Sequence, residues 1–214
     1  MSVIEWDIEQ GSDEWFQARL GVVSASCFGE IFTPTGKPAT GAKVENYANK
    51  LIAEAVTGKR EDTFKSEAME RGNIIEEDAR SWYSMARDCD VEECGLVYLD
   101  SIKRVSCSPD GLILQAPEDV ICGLEIKCPL AHTQVKYLLS GKVPTQYIPQ
   151  LQGSMYVCDV DTWDFLSYHP DLEPLLITVE RDDEWIKNFK PVLNSFVDRV
   201  QDGISKLTHK QEAA

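Results

Sequence analysis

The chain has 214 residues, with 21 Lys and Arg against 36 Asp and Glu, a formal net charge of −15. Such acidity runs against a protein that coats nucleic acid through its phosphates, because that mode of binding draws on basic patches that release counterions. Hydrophobic residues at 43% and charged residues at 27% exclude a disordered chain or a fibre, and the length suits one α/β domain over residues 1–214.

No window approaches ~18 uninterrupted apolar residues, and Met1 to Asp7 lack a basic stretch followed by an apolar one, so the expectation is a soluble, cytoplasmic protein with no membrane contact. The seven cysteines are odd in number and no two are separated by only two residues, which argues for reduced thiols acting as small core hydrophobes rather than a zinc ribbon.

Residues 12 to 20 read as a short helix capped by Ser12 or Asp13, with acidic residues in its first turn. Val22 to Ser26 lead into a second short helix, and Pro34, Gly36, Pro38 and Gly41 mark a loop. Val44, Tyr47, Ala48, Leu51, Ile52, Ala55 and Val56 share one helix face, which Gly58 ends. A long helix is expected from about Ser66 to Arg87, with Ala68, Met69, Gly72, Ile75, Ala79, Trp82, Tyr83 and Ala86 inward and Glu76 on the border of that face.

Between Val91 and Lys127 the period changes to short strands, over Glu93–Leu99, Arg104–Cys107, Gly111–Gln115 and Ile121–Lys127. Helices follow at Ala131–Leu139 and Thr145–Val157, then strands at Thr162–His169 and Leu175–Arg181. A final helix from about Asp183 buries Trp185, Ile186, Phe189, Leu193, Phe196 and Val200, and residues 210–214 read as a loose tail.

Chemistry concentrates at Ser108-Pro109-Asp110-Gly111 and Glu125-Ile126-Lys127. Strand alternation puts Glu125 and Lys127 on one face and Ile126 on the other, so two acids and a lysine converge where strands meet. Two carboxylates from adjacent strands make an oxygen-rich site suited to Mg²⁺ and a substrate phosphate, and a lysine beside them can act on water or on developing charge. Taken singly, an Asp before Gly is a turn former and a Glu-x-Lys alternation is a solvated strand face. Lying between Leu124, Ile126 and Cys128, however, unpaired charges would cost several kcal/mol as an order of magnitude, which a functional site explains better.

Pro109-Asp110 followed by Glu125-Ile126-Lys127 matches the PD-(D/E)xK nuclease motif, and four further blocks narrow the match. These are Glu9 to Ser26, Glu76-Glu77-Asp78-Ala79-Arg80, Gly123 to Pro129 around the motif, and Tyr147-Ile148-Pro149-Gln150-Leu151-Gln152. In that order they resemble the lambda exonuclease-like, YqaJ-like viral recombinase family. The resemblance implies an α/β (α+β) fold with a restriction-endonuclease-like core, a central mixed β-sheet flanked by helices. It implies a phage or prophage enzyme that digests the 5′-ended strand of linear duplex DNA and leaves a 3′ single strand for annealing-type recombination. A homotrimeric ring and a phage single-strand annealing protein as partner belong to the same implication.

Residue by residue, the resemblance makes Asp110, Glu125 and the Ile126 main-chain carbonyl ligands of Mg²⁺, with Glu76 reaching the same metals, two ions in the family arrangement that Mn²⁺ can also fill. Lys127 becomes the catalytic lysine and Gln150 the glutamine that orients lysine or water. Arg19 becomes the grip on a 5′-phosphate, with Ser26 and Ser108 as hydroxyl donors; a guanidinium fork suits a terminal phosphate, which offers more oxygens than an internal one. Arg71 departs from the apolar aromatic expected there, and the loop from Thr33 to Lys43 differs freely. A site-specific endonuclease on the same fold, or a non-catalytic DNA-end-binding module, are the other readings; the terminal-phosphate set disfavours the first and the complete acid–lysine set the second.

Overall fold

The computed structural model describes residues 1–60, 67–117 and 119–212, apart from the side chains of 67–74 and 210–212. Short strand β1 (Val3–Glu5) precedes α1 (Asp13–Ala18), whose N-cap is Ser12, with its side chain accepting from the Trp15 N–H. β2 (Val23–Ser24) runs into a short 3-10 helix at Ala25–Glu30, where a second short helix was expected to follow. Helices α2 (Ala42–Thr57) and α3 (Glu67–Arg87) follow, α2 ending on Gly58 in the left-handed conformation. The expected inward side of Ala68, Met69 and Gly72, and the departure at Arg71, lie outside the described side chains.

β3 (Leu96–Tyr98), β4 (Val105–Cys107), β5 (Gly111–Ala116) and β6 (Asp119–Lys127) form the meander. Helices α4 (Ala131–Ser140) and α5 (Ile148–Cys158, entered through a 3-10 turn at Thr145–Tyr147) lead to β7 (Thr162–His169), β8 (Leu172–Glu180) and α6 (Asp183–Glu212). The last helix thus runs past Lys210, where a loose tail was expected, and only residues 213–214 lie beyond the described chain.

The mixed α/β architecture holds, but the strands divide between two four-stranded sheets, ordered β1-β3-β4-β2 and β5-β6-β7-β8. Each is mixed: β2 lies parallel to β4 and β6 parallel to β7, with the other neighbours antiparallel. The chain passes from the first sheet to the second through Ser108-Pro109-Asp110, between the end of β4 and the start of β5. The motif therefore sits on the crossover itself.

One core lies among the 3-10 helix, α2, α5 and α6, around Phe28, Phe32, Leu151, Trp185 and Phe189. Phe28 and Phe189 are fully buried with ring centroids 4.8 Å apart, so truncating either to Ala should cost about 3–5 kcal/mol. A second cluster joins Ala79 and Tyr83 of α3 to Ile113, Leu124, Ile126 and Leu166, fixing α3 on the second sheet. Two glycines allow close approaches near the site. A Cβ at Gly123 would meet the Trp163 ring at 2.4 Å, and one at Gly153 would meet the Phe28 ring at 2.1 Å, so a side chain at either would push away β6 or α5.

Candidate active site

The crossover that carries Asp110 has few strand partners for its carbonyls, and side chains from elsewhere hold them instead. Gln10 Nε2 donates to the Pro109 carbonyl at 2.7 Å and to the Cys94 carbonyl at 2.9 Å. Arg80 Nε donates to the Asp110 carbonyl at 3.0 Å, while the Asp110 N–H donates to Leu124 O at 3.0 Å, tying the crossover to β6. The Asp110 carboxylate then accepts from the Ile126 N–H at 2.6 Å, so the Ile126 peptide lies at the acid it was expected to accompany.

Glu125 is 2% exposed and points to the α5 side of β6, as the alternation required. Its Oε1 accepts from Lys127 Nζ in a tight ion pair and from Gln150 Nε2 at 2.6 Å. Lys127 also lies 5.5 Å from the ring centre of Tyr147, which packs on Phe165 as well, so Tyr147 serves core and site together. Glu76 is reached through Arg80, whose Nη2 donates to its Oε1 at 3.0 Å. Asp110, Glu125, Ile126, Lys127, Gln150 and Glu76 are thus gathered around the start of β5 and the end of β6.

The electrostatics follow from burial. Burial, then the charge of Glu125, pushes the Asp110 carboxyl up to about 7. Burial, then the charge of Asp110, pushes Glu76 up to about 7, although Arg80 pulls against this. For Lys127 burial alone would lower the pKa, but the Glu125 and Asp110 carboxylates outweigh it and raise it, so the ammonium stays charged. Once Asp110 and Glu76 ionise, three acids face two cations, Lys127 and Arg80, leaving an excess of negative charge in a partly buried place.

That excess, with only oxygen donors around it, fits a hard divalent cation such as Mg²⁺ held by Asp110, Glu125, Glu76 and the Ile126 carbonyl. As they stand, no three acidic, His or Cys side chains among the described residues are grouped so that they could hold a metal ion, so the acids fit a cation by their chemistry and not yet by their placement. The carboxylate oxygens are engaged by Lys127, Gln150, Arg80 and the Ile126 N–H, so loading a cation requires exchange of some of these bonds.

Across the crossover stands a site of opposite sign. Arg19 Nη1 donates to Ser108 Oγ at 2.9 Å and Nη2 to Ser24 Oγ at 3.1 Å, and its guanidinium lies 4.1 Å from the Trp15 ring centre. Ser26 is exposed and meets this group through Ser24, at 3.2 Å between hydroxyls, rather than through Arg19 directly. Burial lowers the Arg19 pKa, yet a guanidinium remains charged. Arg19 faces a cavity of about 100 Å³ lined by Trp15, Ser24, Tyr47, Lys50, Glu54 and Arg60; the buried Glu54, which pairs with Lys50, also acts on the Arg19 charge, but among the described residues no carboxylate lies within ion-pair distance of Arg19 itself.

Arg80, Ser24 and Gln10 lie within the matching blocks, but the resemblance gave none of them a role. Arg80 stands one helical turn after Glu76, so helix spacing carried a signal for it, whereas Ser24 ends β2 and Ser26 already lies in the 3-10 helix, so no strand spacing links the two serines. Gln10 contacts residues 84 and 99 positions away, and no local pattern announces that.

Solved structures of known proteins share this fold. The alkaline exonuclease LHK-Exo of Laribacter hongkongensis is 30% identical, with 94% of this chain and 99% of that one covered and a TM-score of 0.82. A phage related exonuclease of Haemophilus somnus, 14% identical with a TM-score of 0.59 over 89% and 96% of the two chains, shares the fold. An uncharacterized protein of Acanthamoeba polyphaga mimivirus is 23% identical over 216 residues, 95% of this chain and 34% of its own, so the chain spans about a third of that relative's length. ExoD of Escherichia coli is 26% identical over 78 residues, 34% of this chain and 90% of its own. Residues 14–161, from α1 to the approach to β7, match the YqaJ-like viral recombinase domain, and the chain belongs to that family.

Proposed function

We propose that this chain is a Mg²⁺-dependent deoxyribonuclease that digests the 5′-ended strand of linear duplex DNA from a 5′-phosphorylated end and leaves a 3′ single strand for annealing-type recombination. The observation that carries the reading is the continuous join between the two sites: Ser108, bonded to Arg19, and Asp110, bonded to the Ile126 peptide, are two residues apart on one crossover. Two residues of extended chain span at most about 7 Å. A terminal phosphate held at Arg19 therefore sets how far the strand reaches toward the acids. The LHK-Exo structure solved with dAMP, a mononucleotide, supports the same reading.

In this mechanism Arg19, with Ser108 and Ser24, binds the terminal phosphate and fixes the register. Gln150 and Lys127 hold Glu125 in place, and the charged Lys127 donates hydrogen bonds to the scissile phosphate as negative charge builds on it. Asp110, Glu125, Glu76 and the Ile126 carbonyl would hold two Mg²⁺ ions, or Mn²⁺ in their place. When bound, these supply Lewis acidity at the phosphate and a water made more acidic. A phage annealing protein as partner, a homotrimeric ring and the cytoplasm of a bacterial host belong to the same proposal. No described helix is long and apolar enough to cross a membrane.

The test uses duplex DNA labelled at either end, linear or closed circular, in Mg²⁺ and in EDTA. Loss of the 5′ label as mononucleotide, from linear DNA in Mg²⁺ alone, is the expected result. Equal cutting of closed circles would make the protein an endonuclease instead. End binding without cleavage in any metal would make it a binding module. Light scattering should return three times the chain mass, and a monomer would remove the ring.

A further inference from the structure

Arg80 takes part in neither the cleavage chemistry nor the end pocket, yet it makes three directed contacts inside the acid site. Nε donates to the Asp110 carbonyl at 3.0 Å, Nη2 to Glu76 Oε1 at 3.0 Å, and Nη1 pairs with Glu93 Oε2 at 3.2 Å. The side chain is 17% exposed, against 30% for Glu76 and 67% for Glu93. One planar fork thereby joins helix α3, the crossover and the segment before β3, which a lysine with its single point of charge could not do.

Glu76 needs such a restraint. Its carboxylate is partly buried and faces the charge of Asp110. Like charges at short range repel, and a free side chain would turn toward water. The C-terminal half of α3 is anchored separately, by Tyr83 Oη donating to Asp164 at 2.9 Å and Arg87 pairing with Asp164 at 2.8 Å. At the Glu76 turn, Arg80 ties the helix to the Asp110 backbone.

We propose that Arg80 is a positioning residue that holds the Glu76 carboxylate toward Asp110, so that the two acids stand together before a divalent cation exchanges with the bonds that hold them. The inference rests on the metal-dependent reading above. Groups that orient metal ligands typically change affinity ten- to a hundredfold when removed.

The experiment measures Mn²⁺ binding without DNA, by the electron paramagnetic resonance of the free ion, for the wild type, Arg80→Ala, Arg80→Lys, Glu76→Ala and the double variant. Melting temperatures run alongside. Arg80→Ala should weaken Mn²⁺ binding by about tenfold or more, with Arg80→Lys recovering only part. On the Glu76→Ala background the Arg80 change should add nothing, since the arginine acts through that carboxylate. Unchanged or tighter binding in Arg80→Ala, or additive losses in the double variant, would overturn the inference while leaving the metal reading intact. A wild type that binds no Mn²⁺ would overturn both. Should Arg80→Ala not fold, Arg80→Gln, which keeps an amide donor at similar reach, carries the test with the same outcomes.

Discussion

The two ends of the Ser108–Asp110 crossover treat charge in opposite ways. At the acid end every charge already has a partner: Glu125 holds Lys127 and Gln150, Glu76 holds Arg80, and Asp110 holds a peptide N–H. At the other end Arg19 is hydrogen-bonded by hydroxyls and covered by an aromatic face, with the nearby Glu54 beyond ion-pair distance and already paired with Lys50. Hydroxyls orient a guanidinium without neutralising it, so the cation stays available to an incoming phosphate. The acid end must exchange bonds before it can bind anything, and so it responds to pH and to cations. On the proposed function the contrast also places the −15 charge of the chain: attraction for DNA would be local to Arg19 and its neighbours, and the acids would become useful once a cation is bound.

The largest expected effect lies at the acid end. Lys127→Ala should lower cleavage by about a thousandfold, within the range for a group acting on the transition state, while binding of duplex ends survives. Loss of end binding, read by fluorescence anisotropy, would instead make Lys127 part of the substrate grip and erase the division. Gln150→Ala should cost less, about 1.5–3 kcal/mol for one hydrogen bond to a carboxylate, or roughly ten- to a hundredfold in rate. An unchanged rate would show that Lys127 alone keeps Glu125 in position.

Stability should follow pH in a way set by the same acids. Asp110 and Glu76 lie at about 7 in the folded chain, above the ordinary carboxylate value of about 4. The folded state therefore binds more protons than the unfolded state between these values. Stability from these groups is full at acidic pH and is lost as pH rises through 7. Mg²⁺ binds the ionised acids, so the rise in melting temperature on adding it should be larger at pH 8 than at pH 5.5. Equal rises at both would mean that the cation binds elsewhere. The smallest effect belongs to the other end: Ser24→Ala removes one neutral hydroxyl from Arg19 and should weaken the preference for 5′-phosphorylated ends about threefold to tenfold. No change there would assign the positioning of Arg19 to Ser108.

Much of this was legible in the residues, and the exceptions have physical causes. Long helices such as α2 and α6 announce themselves by period, and α6 does so through Pro191. Glu125 and Lys127 fall on one face because side chains alternate along any strand, even though residues 123–126 of β6 are buried in succession and show no in-and-out burial pattern. By contrast β1 and β2 have three and two residues, too few to show a period, and exist because β3 and β4 offer them edges. β8 begins at Leu172 and continues through Pro174, where a break would be expected; it is an edge strand, and a missing N–H there need not cost a ladder bond. The division into two sheets was hidden because nothing local distinguishes a strand that turns back from one that crosses over. Ser26 was expected at Arg19, but Arg19 bonds Ser24: the chain leaves β2 after Ser24 and turns into a 3-10 helix, which carries Ser26 to the surface, and the sequence does not mark that change.

The division between an end-reading cation and a metal-binding acid group is tested most directly by one ratio, the rate on 5′-phosphorylated over 5′-hydroxyl linear duplex in Mg²⁺, measured for the wild type and Arg19→Ala. The wild type should prefer the phosphate by roughly ten- to a hundredfold, as expected for hydrogen bonds to a charged group, and Arg19→Ala should bring the ratio close to one while retaining Mg²⁺-dependent cleavage. A ratio unchanged by the substitution would contradict the assignment of the two ends.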